Sequence, residues 1–158
     1  MTTQDQIGYV GVWPRFASTA VDTVVLAVVG WLLAAVTGGT SAAGFELTGG
    51  PFFLYLLVSF AYFIVLEATM GATFGKLALG QRVVMEDRSP LDWKASIIRN
   101  VLRIIDGLPF FYLTGAILVW TSDRRQRLGD RVAGTVVMSR ESLEEGNGYR
   151  PPREAAQP

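Results

Sequence analysis

The chain has 158 residues, half of them hydrophobic, with 14 Lys and Arg balanced by 14 Asp and Glu. Its mean hydropathy of +0.32 is too apolar for an ordinary soluble domain of this size, and the balanced charge gives no reason to expect a nucleic-acid partner. Cysteine and histidine are both absent, which excludes disulfides, thiolate catalysis, zinc sites and imidazole switches. Proton chemistry near neutrality would fall to carboxylates with raised pKa values. No enzyme, cofactor or metal site is expected.

Residues 1–13 read as a polar segment ending in a turn at Gly8-Tyr9-Val10-Gly11. Trp13 suits a membrane interface and Pro14 the first turn of a helix. From Phe16 to about Thr37 the chain is apolar and long enough to cross a hydrocarbon core of about 30 Å. A secretory signal peptide is the rival reading, but this run is longer than the usual apolar region and carries Asp22. Arg15, Ser18, Thr19 and Asp22 share one helical face. An ionised group near the middle of a bilayer costs roughly 2.5–3.5 kcal/mol, so this polar stripe calls for partners elsewhere in the chain.

Residues 38–50 contain no Lys or Arg and are assigned to the outside by the positive-inside rule. Pro51–Met70 reads as a second, returning span with Glu67 one turn from its inner end. Because the two helices run antiparallel, Glu67 and Arg15 fall at similar depth, and either a salt bridge or a snorkelling Glu67 fits. Gly75-Lys76 has the wrong spacing for a phosphate loop and lacks the following Ser or Thr, so residues 71–80 read as tight turns leading to a strand at Gln81–Met85.

From Leu91 a helical pattern resumes, and Asp92, Ser96, Arg99, Arg103 and Asp106 form a polar seam with spacing 4, 3, 4, 3. Two readings stand side by side: a helix on the membrane surface with its charged face in water, or a seam that meets the stripe of the first helix. Gly107-Leu108-Pro109 breaks the helix, and Phe110–Trp120 is short for a full crossing. The basic segment after it belongs on the cytoplasmic side, so 91–120 is expected to form a helical hairpin, either re-entrant or spanning. Gly134–Met138 resembles Gly80–Met85 and is expected to pair with it, with the two strands packing on the helices. Leu128–Gly134 reads as a link, and residues 139–158 as a polar, disordered tail.

The expected fold is therefore an all-α membrane protein. It has two transmembrane helices, a third helical hairpin and a short cytoplasmic β-pair, in a membrane domain at 14–138 with both termini cytoplasmic.

This set of blocks resembles the RDD family of small integral membrane proteins, named for an arginine at the start of the first helix and two aspartates. Arg15 and Asp22 match the arginine and the first aspartate. Gly75-Lys76 through Val83-Val84 resembles the stretch after the second helix. Arg99-Asn100 through Asp106, and Arg125 through Val137, resemble the carboxy-terminal signature, in which Asp106 and Asp130 are both candidates for the second aspartate. The resemblance implies a membrane fold more than a function. Transport has been suggested for the family, and some members are associated with sodium/proton antiport.

Two functional readings fit these residues. In the first, a homo-oligomer exchanges a monovalent cation for a proton, with Asp22 as carrier, Asp106 as second carboxylate, and Arg15, Arg99 and Arg103 as tuning charges. In the second, Arg15, Asp22, Glu67, Arg99, Arg103, Asp106 and Asp130 form a network that only fixes helix packing.

Overall fold

A computed structural model describes residues 8–42, 44–106 and 124–145. Two long helices dominate it, α1 (Val12–Thr37) and α2 (Gly49–Met70). Pro14 and Pro51 sit in their first turns, where no intrahelical partner awaits an N–H. Each helix ends on a left-handed glycine, Gly38 and Gly71. Both are long and apolar enough to cross a membrane.

Their burial inverts that of a soluble protein. The buried face of α1 is Arg15, Ser18, Asp22, Leu26, Gly30 and Ala34, and α2 buries only Glu67 and Ala68. Val24, Val28, Trp31, Leu32, Phe53 and Leu57 point outward and are exposed. Apolar side chains outside and ionisable ones inside are what a lipid solvent selects. Between the two helices lies a two-residue hairpin, β1 (Thr40–Ser41) antiparallel to β2 (Gly44–Phe45), within the loop that lacks basic residues.

At the opposite end of the helix pair is a polar subassembly. After α2 comes a short helix, α3 (Phe74–Ala78), where tight turns were expected, and then β3 (Gln81–Met85). Next is α4 (Trp93–Asp106), followed across the undescribed stretch by α5 (Leu128–Ala133), β4 (Thr135–Ser139) and α6 (Arg140–Glu145). The expected link at 128–134 is thus largely helical, and the segment expected to be a disordered tail begins with a helix. The turn of the expected hairpin and its second arm, 107–123, lie outside the described residues, as do 146–158.

The expected strand pair is present, β3 antiparallel to β4 in the register Gln81↔Ser139 through Met85↔Thr135. Tyr9 bridges to Met138, and the Val10 N–H donates to the Val137 carbonyl at 2.9 Å, so the amino-terminal segment extends the sheet. One sheet face packs Val83 and Val137 against Leu91, Ala95 and Ala133. The other packs Val84, Val136 and Met138 against Leu143 of α6 and Tyr9. Two strands alone are marginal; here both faces are covered. The sheet is tied to α1 by Gln81 Nε2, which donates to the Pro14 carbonyl at 2.7 Å.

Candidate functional site: a buried charge network

Five elements converge where α1 and α2 meet the polar end. Asp130, in the first turn of α5, accepts from Arg15 Nη1 of α1 and from Arg99 Nη1 of α4, each at 2.6 Å. The Arg127 backbone N–H also donates to it at 3.1 Å. The rest of the Arg15 guanidinium donates to the carbonyls of Val10 (3.1 Å) and Arg125 (2.8 Å). Arg99 reaches on to Thr135 Oγ1 at 2.7 Å and to Glu67 at 3.3 Å. Glu67 also pairs with Lys76 of α3 and accepts from Asn100 Nδ2 at 3.2 Å. The result is a continuous chain, Arg15–Asp130–Arg99–Glu67–Lys76, joining α1, α5, α4, α2 and α3. Glu67 is 1% exposed and Asp130 3%, so pairing is what makes their charges tolerable.

Asp22 stands apart. It does not bond to Arg15, and its carboxylate accepts three hydrogen bonds from neutral donors. These are Tyr62 Oη (2.7 Å), Thr73 Oγ1 (2.7 Å) and the Gly75 backbone N–H (2.8 Å). The backbone of α3 approaches α1 so closely that a Cβ on Gly75 would lie 2.1 Å from the Ser18 carbonyl oxygen and 2.9 Å from the Asp22 carboxyl. Only glycine allows Asp22 to hold α3 this way.

Burial and charge act in opposite directions on the paired groups of the network. Burial alone would raise the Asp130 pKa, but Arg99, Arg15 and Arg127 outweigh it and hold the carboxyl below its ordinary 3.8. For Lys76, burial lowers the pKa more than Glu67 raises it, with Arg99 and Arg103 adding repulsion, and it falls to about 8. The ammonium therefore stays mostly charged at neutral pH and the Glu67 pair holds.

The structure corrects several sequence expectations. Glu67 neither snorkels nor pairs with Arg15; it binds Lys76 and Arg99. The α4 seam does turn its polar face inward: Ser96 Oγ donates to the Ile64 carbonyl at 2.8 Å and Arg103 lies 3.9 Å from the Phe63 ring centroid. Trp93, Ile97, Val101 and Ile104 occupy the exposed face, the reverse of a charged face in water. Among the described residues the seam is hydrogen-bonded to α1 through Asp130, which joins Arg15 to Arg99 where Asp22 does not. Asp92 is outside the network and accepts the Ala95 N–H at 2.6 Å, capping α4. The Asp106 side chain lies outside the described residues.

Lys76 was missed, although an isolated lysine among glycine and leucines, nine residues after Glu67, was a visible signal. Thr73 and Tyr62 carried no signal of their own. Among the described residues no His, Cys, Asp or Glu cluster could hold a metal ion.

Arg15, Lys76, Arg99, Arg103 and Arg127 line a small, partly open cavity with Glu67 and Asn100. Its volume is about 30 Å³, room for about two water molecules. The site is a buried network of charges at one end of two helices apolar and long enough to cross a membrane.

Comparison with known proteins agrees with this class. The RDD family matches residues 9–134, and the chain belongs to that family. It is 30% identical over 138 residues to the uncharacterized membrane protein YteJ of Bacillus subtilis (strain 168), covering 82% of this chain and 80% of that protein. No solved structure matches significantly.

Proposed function

We propose that the charged layer is an interlock, and that the protein is a structural or accessory membrane protein. In this reading the network clamps the two apolar helices to the polar subassembly in one fixed arrangement. The observation that carries it is Asp130, which receives one guanidinium from α1 and another from α4 at 2.6 Å each. Asp22, Glu67 and Asp130 each have at least three donors around them, and a buried charge so paired costs far less than one left alone.

A second reading, cation/proton exchange by an oligomer, rests on Asp22. It is 1% exposed, sits within α1, and among the described residues has no cation in ion-pair contact. When the Asp22 carboxyl is protonated, the Tyr62 or Thr73 hydroxyl can rotate to accept a hydrogen bond from its O–H.

Both readings put the basic end of the molecule, with both termini, in the cytoplasm by the positive-inside rule. The deciding experiment is sodium-driven proton flux in proteoliposomes of the full chain beside Asp22→Asn. The interlock predicts no flux above empty vesicles for either protein. Flux in the wild type that disappears in a folded Asp22→Asn protein would replace the interlock with exchange.

A further inference from the structure

Between α2 and α4 lies a groove of about 190 Å³, lined by Leu56, Phe60 and Phe63 of α2 and by Ile104 of α4. Leu56 and Phe63 are seven residues apart, so the groove extends about 10 Å along α2. Its volume is below the roughly 300–1,000 Å³ of a pocket that encloses a small molecule. It suits part of a chain whose remainder lies elsewhere, and two of its lining residues, Leu56 and Ile104, are exposed apolar side chains.

One end of this groove is charged. Asn100 and Arg103 line both the groove and the small polar cavity next to it. Arg103 lies over the Phe63 ring, and among the described side chains it has no carboxylate within ion-pair distance. Behind it the cavity presents Arg15, Lys76, Arg99 and Arg127 against Glu67, with Asp130 already holding two of these arginines. With Asp22 also acting on Arg103, five cations here face three carboxylates, an excess of positive charge. Phe63 lies beside Tyr62, the hydroxyl that reaches Asp22, so the guanidinium stands at the depth where the polar layer of the protein begins and the purely apolar part of α2 ends.

We propose that this is a binding site for an anionic phospholipid, with its phosphate on Arg103 and the start of one acyl chain in the α2–α4 groove. A guanidinium offers two parallel donors to a phosphate. Basic pockets between membrane helices are where anionic headgroups bind. This proposal is independent of the interlock, because Arg103 takes no part in its ion pairs and has no carboxylate within ion-pair distance among the described side chains.

The test uses full-length protein stripped of lipid in mild detergent. It is incubated with dioleoyl phosphatidylglycerol, with dioleoyl phosphatidylcholine or with inorganic phosphate, and read by native mass spectrometry and thermal shift. Phosphatidylglycerol should give a one-lipid adduct and raise the melting temperature. Phosphatidylcholine, with identical chains, should bind about tenfold more weakly, and phosphate should neither bind nor compete. Arg103→Gln should weaken phosphatidylglycerol about tenfold, and Arg103→Lys should recover part of the loss. Leu56→Trp fills the far end of the groove and should weaken the same lipid with the arginine intact; if Arg103→Gln does not fold, this variant decides alone. Equal binding of the two lipids, displacement by inorganic phosphate, or a Leu56→Trp effect confined to oligomeric state would each overturn the proposal.

Discussion

Replacing Asp130 by asparagine changes almost no volume and removes one charge from the centre of the network. Two guanidiniums, Arg15 at 3% and Arg99 at 8% side-chain exposure, lose the carboxylate that neutralises them. Asparagine keeps a single carbonyl oxygen, and its amide group turns two donors toward donors. Removing one partner of a buried pair costs about 3–5 kcal/mol. Arg99 retains Glu67 and Arg15 retains two carbonyls, which favours the lower half of that range. For a chain of this size each kcal/mol moves the melting temperature by roughly 2–4 °C, so a fall of about 6–16 °C is expected. Unfolding of the detergent-solubilised protein, followed by the fluorescence of its four tryptophans, measures it. A cycle with Arg15→Gln should show coupling of about 1–3 kcal/mol. A melting temperature unchanged within error, or strict additivity, would refute the claim that this carboxylate joins α1 to the rest.

Gly75→Ala should destabilise by about 1–3 kcal/mol or more, because its new methyl meets the Ser18 carbonyl oxygen at 2.1 Å and one of the two backbones must move. Gly50→Ala, with nothing within 4 Å of its Cβ, should be neutral or stabilising by up to about 1 kcal/mol; equal effects at both glycines in thermal melts would contradict the packing of α3. Asp22→Asn should cost about 1–3 kcal/mol, since the amide can accept from only part of the Tyr62, Thr73 and Gly75 set and must find an acceptor of its own. A variant as stable as the parent would mean that these contacts do not hold α3. Asp130 also sets a pH dependence. Its folded pKa is below the ordinary 3.8, so its contribution is fully present well above that value and is lost as pH falls below about 4 towards the folded pKa. Acid titration should unfold the parent more steeply there than Asp130→Asn, and parallel curves would contradict the assignment.

How much of this was legible in the sequence depended on what signal each part carries. The long helices were readable because length and hydropathy suffice: the spans expected at about 16–37 and 51–70 are found at Val12–Thr37 and Gly49–Met70. The strand pair was readable from two similar β-prone pieces, Gly80–Met85 and Gly134–Met138. The short helices were not. Five residues at Phe74–Ala78 complete barely one turn, and Asp22, 51 residues or more away from its α3 partners, fixes the start of that helix through tertiary contacts. The identities of the charged residues were readable, their pairing was not. Helical spacing placed Arg15 and Asp22 on one face, yet a shared face does not bring side chains two turns apart into contact. Arg15 found its carboxylate 115 residues later, a distance over which periodicity says nothing.

The whole network depends on α5 lying against α4 so that Asp130 reaches Arg99. The closest approach there is glycine-mediated: a Cβ on Gly129 would stand 3.4 Å from Leu102 Cβ, near the 3.5–4.5 Å of a disulfide. Because the chain contains no cysteine, the pair Leu102→Cys and Gly129→Cys can be oxidised without background. The packing of α5 on α4 predicts an intramolecular cross-link that forms readily in the membrane, while Ile97→Cys with Gly129→Cys, whose first member lies on the exposed face of α4, does not form one. Free thiols or only intermolecular dimers from the first pair would contradict it.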